Sequence, residues 1–190
     1  MRNFLPLMLA ILALMGCIPT PADQEAMRYV AAVEIPIEDT QERIELTNLL
    51  TSEAGNHDGL HVDDVSDQSA DFYKDSRVLE PDQRPTVSIT IWRGEDDDQQ
   101  VGSVSDVMHR GRVWATFLKG PDPKLETPFR EAALNRILAR WPQTNKLPIL
   151  PTGGLPLARD LIMTDQGYRI DRSQAETYGL AKDSELLVAN

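Results

Sequence analysis

The stretch that decides the fold is Thr86-Val87-Ser88-Ile89-Thr90-Ile91-Trp92, in which apolar and polar side chains alternate. Successive side chains of a β-strand point to opposite faces of a sheet, so this alternation predicts a strand. We expect one face of it to be aliphatic and the other to carry Ser88, Thr90 and Trp92. A strand that is polar on one face is typical of an antiparallel sheet.

Segments on both sides of this stretch also have the composition of strands. Residues 112–118 give the second clear strand, and residues 101–108 give a weaker one. Residues 60–65 alternate imperfectly. Residues 28–35 are apolar and fit either a strand or a helix that continues from Asp23.

Two helices are predicted from apolar residues at helical spacing. Residues 126–141 carry an apolar side chain at every fourth position, and Pro142 cannot continue the helix. The other helix is capped by Asp39, with Glu42 three residues later as in a capping box. Its apolar stripe is formed by Leu46, Leu49, Leu50 and Ala54, and it should end near Gly55 or Gly59.

The remaining segments are polar or rich in proline and glycine. Residues 66–85 are predicted to form a long acidic loop with at most one helical turn. Residues 147–156 should lie over the core and contribute at most a short strand, and residues 171–178 could form a last short helix. The order of elements predicts an α+β fold, with an antiparallel sheet of about four strands and two main helices on one face. A ferredoxin-like, split βαβ arrangement is the leading topology.

The amino terminus has the pattern of a signal peptide. Arg2 is followed by an uncharged apolar run over residues 4–15. A membrane-spanning helix needs about 20 apolar residues, so this run is too short to span. Its length suits the apolar region of a signal peptide, which is typically about 7–15 residues.

This run ends at Met15, and the tetrapeptide Leu14-Met15-Gly16-Cys17 resembles the lipobox of bacterial lipoproteins. The resemblance implies that the thiol of Cys17 receives a diacylglycerol, that the chain is cut before Cys17, and that the new amine is acylated with a fatty acid such as palmitate. It also implies that the protein is held in a membrane by acyl chains on Cys17, facing the periplasm. Residue 18 is Ile rather than Asp, which by the same resemblance favours the outer membrane over the inner membrane.

Two other interpretations of Cys17 remain open. It could be an incidental thiol behind an ordinary signal peptide, or a buried cysteine of a cytosolic protein. The domain organisation that follows from lipidation has three parts. Residues 1–16 are a signal peptide that is removed, residues 17–26 are a lipidated cysteine with a proline-containing, extended tether, and residues 27–190 are a single α+β domain.

Composition limits the classes of function. The chain of 190 residues has one cysteine and a net charge of −11, which argues against a disulfide framework and against general nucleic-acid binding. Residues 17–108 hold 6 basic and 21 acidic residues, whereas residues 109–190 hold 12 and 9. This asymmetry indicates either a dipolar surface that orients on a partner or two halves that attract each other in the folded protein.

The residues with chemical potential are few. His57, His61 and Asp63, with His109 further along, could form a metal or hydrolytic site if they converge. If a strand begins at Leu60, His61 and Asp63 share a face and His57 lies in the preceding turn. No cofactor is expected, and no catalytic or metal-binding residue is assigned.

Three further motifs fail on their spacing. The acidic residues 95–98 lack the glycine and glutamate of a calcium-binding loop. The segment Gly102-Ser103-Val104-Ser105-Asp106 lacks the second glycine of a nucleophile elbow. Gly153-Gly154 is not followed by the lysine of a phosphate-binding loop.

Two functions from different classes are therefore expected. The first is a lipid-anchored envelope protein that binds another envelope component, such as a protein partner, without catalysis. The alternative is a membrane-tethered hydrolytic or metal-assisted enzyme, whose residues would come together only in the fold.

Overall fold

A six-stranded antiparallel sheet forms the centre of the structure, a computed structural model that describes residues 20–76, 86–94, 99–106 and 112–189. The strand order is β2-β3-β4-β5-β1-β6, and each neighbouring pair is antiparallel. The strands are β1 Tyr29–Ile35, β2 Leu60–Asp64, β3 Ser88–Arg93, β4 Gln99–Ser105, β5 Val113–Leu118 and β6 Asn145–Lys146.

Two long helices cover one face of this sheet. They are α2, Thr40–Ala54, and α4, Pro123–Arg140, and the apolar sides of both join the main core. The sheet contributes one apolar side chain per strand to each row of this core. One such row runs across four neighbouring strands through Val33, Ala115, Val104 and Ile89. We call this the helix side of the sheet and the opposite one the outer side.

The outer side is covered over β5, β1 and β6 by the carboxyl-terminal part of the chain. A hairpin of β7, Leu161–Thr164, and β8, Gly167–Ile170, forms a separate two-stranded sheet there. A second apolar cluster lies beneath it, made of Ala32, Trp114 and Leu147 with Leu155, Ala158, Leu161 and Tyr168 packed against them. On this half the fold therefore has three layers, which are the two helices, the sheet and the carboxyl-terminal segment with its hairpin.

The α+β class is confirmed, but the four-stranded sheet and the ferredoxin-like topology are wrong. The helix α2 joins β1 to β2, and these strands are separated by three others rather than by one. The difference arises because β2, β3, β4 and β5 form one continuous meander whose last strand returns to pair with β1. The sixth strand, β6, has only two residues, which is too short for a period-2 pattern to reveal.

Two segments are helical where the sequence predicted otherwise. The helix α3, Ser66–Ser76, replaces the first half of the predicted loop, and it escaped detection because it has no long apolar stripe. The helix α1, Pro21–Ala26, replaces the second half of the predicted extended tether. Thr20 caps α1 in a capping box with Asp23, and Pro21 occupies the first helical position, where its missing N–H has no cost.

The acidic first half of the chain and the basic second half attract each other through specific ion pairs. Within the part of the chain that the structure describes, Glu residues of the first half accept from Arg or Lys residues of the second in four places, namely Glu25–Lys119, Glu34–Arg112, Glu45–Arg140 and Glu53–Arg136. Two of these arginines, Arg136 and Arg140, belong to α4 and pair with glutamates of α2.

Candidate functional site

His57 and His61, two of the candidate residues for a metal or hydrolytic site, do not share a site. Strand β2 begins at Leu60, so His61 and Asp63 share a face, as the sequence predicted, and this face is on the outer side. His57 lies in the turn before it, with its Nε2 3.3 Å from Oε1 of Glu53. The ring of His57 packs edge-to-face on Phe129 of α4, with 5.7 Å between ring centroids, which places His57 on the helix side. The sheet therefore separates His57 from His61, and His109 lies outside the described residues.

Among the described residues, no three metal-ligating side chains of His, Cys, Asp or Glu come close enough together to hold an ion. The same part of the chain also contains no helix with the length and apolar character needed to cross a bilayer. Cys17 and the acidic residues 95–98 lie outside the described ranges.

The outer side of the sheet is polar over β2, β3 and β4. Register places Asp63, Thr90, Ser103 and Thr116 side by side in one row across four strands. The hydroxyl oxygens of Ser103 and Thr116 are 3.0 Å apart, so part of this row is bonded internally. We call this surface the polar half of the outer side. Its serines and threonines on β3 and β4 are partly exposed.

The other half of the outer side contains an enclosed carboxylate, Glu34 of β1. Its Oε2 accepts from Nε of Arg112 and, at 2.8 Å, from Nε1 of Trp114. Its Oε1 accepts from the hydroxyl of Tyr168 at 2.6 Å. Three donors thus converge on one side chain of β1. They are Tyr168 of β8, Trp114 of β5, and Arg112, which directly precedes β5.

Arg112 holds this cluster together by stacking as well as by charge. Its guanidinium lies 4.6 Å from the ring centre of Tyr168 and 5.5 Å from that of Trp114. It also donates to the carbonyl oxygen of Ala158 at 3.0 Å, which ties in the 3-10 turn Ala158–Asp160 that leads into β7. Burial, together with donation to Glu34, raises the pKa of Tyr168, so its hydroxyl stays a donor at neutral pH. The cluster is built to attach the hairpin to the sheet.

Two buried carboxyl groups elsewhere in the fold, those of Asp106 and Glu126, have raised pKa values. Burial raises the pKa of Asp106 to about 6, and its Oδ1 accepts from the backbone N–H of Val87 at 2.9 Å. Burial also raises the pKa of Glu126, although Arg93 donates to it. Paired carboxyl groups with different pKa values are a common arrangement for acid–base catalysis.

Asp106 and Glu126 do not form such a pair. Asp106 bonds to the residue just before β3, whereas Arg93, the partner of Glu126, is the last residue of β3. The length of that strand, about 20 Å at 3.3 Å per residue, separates them. Two carboxyl groups acting on one glycosidic bond lie within about 10 Å of each other. The sequence offered no signal for either residue.

On the helix side of the sheet, the solvent-facing surface between α2 and α4 contains a shallow, open groove of about 410 Å³. Its floor is Leu49 and Ala139, and its rim carries Arg136 and the ion pair between Glu45 and Arg140. An open groove of this kind does not enclose a small molecule, which usually has most of its surface buried in a pocket.

Comparison with known proteins finds no matching family model, no matching curated protein and no matching solved structure.

We predict that Glu34→Ala destabilises the fold by about 3 kcal/mol, because it leaves the charge of Arg112 and the indole N–H of Trp114 without their acceptor. The matched control is Glu45→Ala, which breaks an exposed ion pair and should cost less than about 1 kcal/mol. Urea unfolding of both variants gives the two free energies. Equal losses would show that the Glu34 cluster does not hold the hairpin.

We predict that Asp106→Asn stabilises the fold at pH 7.5 by up to about 3 kcal/mol and has little effect near pH 4. The folded-state pKa of Asp106 is raised to about 6, so its favourable contribution is present below pH 3.8 and is lost as the pH rises through 6. The amide oxygen of Asn keeps an acceptor for the N–H of Val87. Unfolding free energies measured across this range test the prediction, with the exposed Asp63→Asn as control for removal of one charge. A difference between Asp106→Asn and the unsubstituted protein that is independent of pH would contradict it.

Proposed function

We propose that this chain is a lipoprotein of the bacterial cell envelope, with Cys17 as the lipidated first residue of the mature protein. The observation that carries the proposal is the lipobox-like Leu14-Met15-Gly16-Cys17 after an uncharged apolar run. One acyl chain anchors a protein only reversibly, since each buried methylene contributes about 0.8 kcal/mol, whereas two or three chains on one residue hold it firmly. Ile18 in place of Asp favours the periplasmic leaflet of the outer membrane.

The charge of the chain after cleavage is consistent with anchoring by lipid. Removal of residues 1–16 takes away Arg2 and leaves 18 basic and 30 acidic residues, a charge of −12. A protein with this charge gains little from electrostatic attraction to anionic lipids, so the acyl chains would supply the membrane affinity.

The molecular role we propose is binding of another envelope component without catalysis. The carboxylates of the partly buried Glu34 and the buried Glu53 are both engaged by arginines that join parts of the fold. Apolar side chains are instead exposed on and just before the hairpin, at Leu157, Ile162 and Met163. Exposed apolar groups of this kind, when they are contiguous, are used to bind proteins.

The alternative of a membrane-tethered hydrolytic or metal-assisted enzyme has less support. An enzyme that used the histidines for catalysis would need His57 and His61 in one pocket. They lie on opposite sides of the sheet. No observation within the described residues favours another arrangement.

We predict that Cys17→Ser abolishes lipid attachment and leaves an uncut precursor, because serine offers no thiol to form the thioether to diacylglycerol. Incorporation of labelled palmitate and the mass of the purified protein report the two effects. Normal incorporation into the Cys17→Ser protein would exclude Cys17 as the acylated residue.

We predict that a photo-crosslinking amino acid at the position of Met163 captures a protein partner in intact envelopes. The same amino acid at Glu38, an exposed position outside the hairpin, is the matched control and should give no such adduct. Gel electrophoresis after irradiation separates the outcomes. Identical patterns from the two positions, or no adduct from Met163, would contradict a role for the hairpin in binding.

A further inference from the structure

The chain between the proposed anchor and the folded domain is very short. Cys17 and Thr20 are three residue steps apart, and even fully extended these steps span at most about 11 Å. The helix α1 follows immediately and adds about 10 Å up to Met27 at 1.5 Å per residue. The Cα atom of Met27 therefore lies within about 20 Å of that of Cys17.

The helix α1 is fixed to the sheet and does not act as a free arm. Ala26 is buried, and its carbonyl oxygen accepts from the N–H of Gly120 at 3.0 Å. Glu25 accepts from Nζ of Lys119 at 2.7 Å and from Arg28 at 3.0 Å. These bonds join α1 to the start of β1 and to the chain that leaves β5.

A second loop rigidifies the same end of the sheet. The N–H of Tyr29 donates to the carbonyl oxygen of Gly153 at 2.8 Å, and Nε of Arg28 donates to that of Thr152 at 3.2 Å. Gly153 has a φ of +82°, and a Cβ atom there would lie 2.6 Å from Cγ of Arg28. Glycine is thus required for this loop to pack on Arg28, and the loop is fixed to the end of the sheet where α1 is attached.

Charge distinguishes the two sides of this end. Around α1, residues 20–28 together with Lys119 hold two acidic and two basic side chains, so they are neutral as a group. The joined ends of β3 and β4, at Arg93 and Gln99, lie at the same end of the sheet, and the sequence between them includes the acidic residues 95–98. Three strand spacings, about 15 Å, separate β3 from β1. An anionic bilayer would repel the β3 side and tolerate the β1 side.

We propose that the end of the sheet where β1 begins faces the lipid surface, tilted so that α1 and Met27 are closest to it. The inference rests on the proposed lipidation of Cys17. Met27 is 61% exposed and apolar, and it is held within reach of the acyl chains of Cys17. The partner of this surface is the bilayer itself. Because β1 is about 20 Å long, its far end, followed by Glu38, lies well away from the lipid.

The test uses full-length protein made with its leader in bacteria and reconstituted in phosphatidylcholine vesicles with about one fifth phosphatidylglycerol. The vesicles carry a nitroxide quencher on a fraction of their headgroups. Fluorophores are attached to the single added cysteines of Met27→Cys, Asp58→Cys and Glu38→Cys, all at exposed positions. Asp58 precedes β2, four strands from β1 at the same end.

We expect quenching in the order Met27, then Asp58, then Glu38, with a difference of severalfold between the first and the last. Equal quenching at Met27 and Glu38 would overturn the orientation, and equal quenching at Met27 and Asp58 would overturn the tilt. Circular dichroism of each variant confirms that the label has left the fold intact.

The protein without an added cysteine separates this inference from the proposal on which it rests. If Cys17 is a thioether, that protein takes up no thiol-reactive fluorophore, and the quenching order alone decides the orientation. If it takes up one equivalent, lipidation is wrong and the orientation fails with it. Acylation without the quenching order leaves the lipoprotein proposal standing and refutes only the orientation.

Discussion

The complete burial of β5 is the constraint on which the rest of the structure depends. All six residues of Val113–Leu118 are buried, although their side chains point alternately to the two sides of the sheet. The helices α2 and α4 can cover only one side, so the chain must supply a third layer over the other. Residues 147–189 provide it, and they enclose Trp114, which is 1% exposed. Burial of a large side chain of this kind contributes about 2–3 kcal/mol, which favours ordering an otherwise irregular segment.

Apolar packing alone does not attach this third layer, because a charged residue of β1 lies beneath it. Leaving Glu34 unpaired there would cost several kcal/mol, so the fold surrounds it with donors. Those donors come from Arg112 and Trp114 on one side and from Tyr168 of the hairpin on the other. The hairpin therefore has one position in which the carboxylate is satisfied. Hydrogen-bond geometry, rather than the amount of apolar surface, selects that position.

The sequence predicted the parts of the fold that depend on local pattern. The alternation in residues 86–92 identified β3, the fourfold spacing before Pro142 identified α4, and Asp39 was correctly identified as a cap, since it accepts from the N–H of Glu42. The placement of His61 and Asp63 on one face also followed from the period of a strand. The hairpin was missed because each of its strands has only four residues. The Glu34 cluster could not be predicted, since Tyr168 lies 134 residues from Glu34 and only the folded chain brings them together.

The proposed lipidation of Cys17 and the proposed orientation together limit what the protein could bind. With the start of β1 toward the bilayer, the strand axes would point away from the membrane plane. Neither face of the sheet would then lie on the lipid. Neither the α2–α4 surface nor the hairpin would then be covered by lipid. Leu157 and Met163 would remain available to a partner that approaches along the membrane surface. Only three residue steps separate Cys17 from Thr20, so with Cys17 acylated the partners would have to come within a few tens of ångströms of the leaflet.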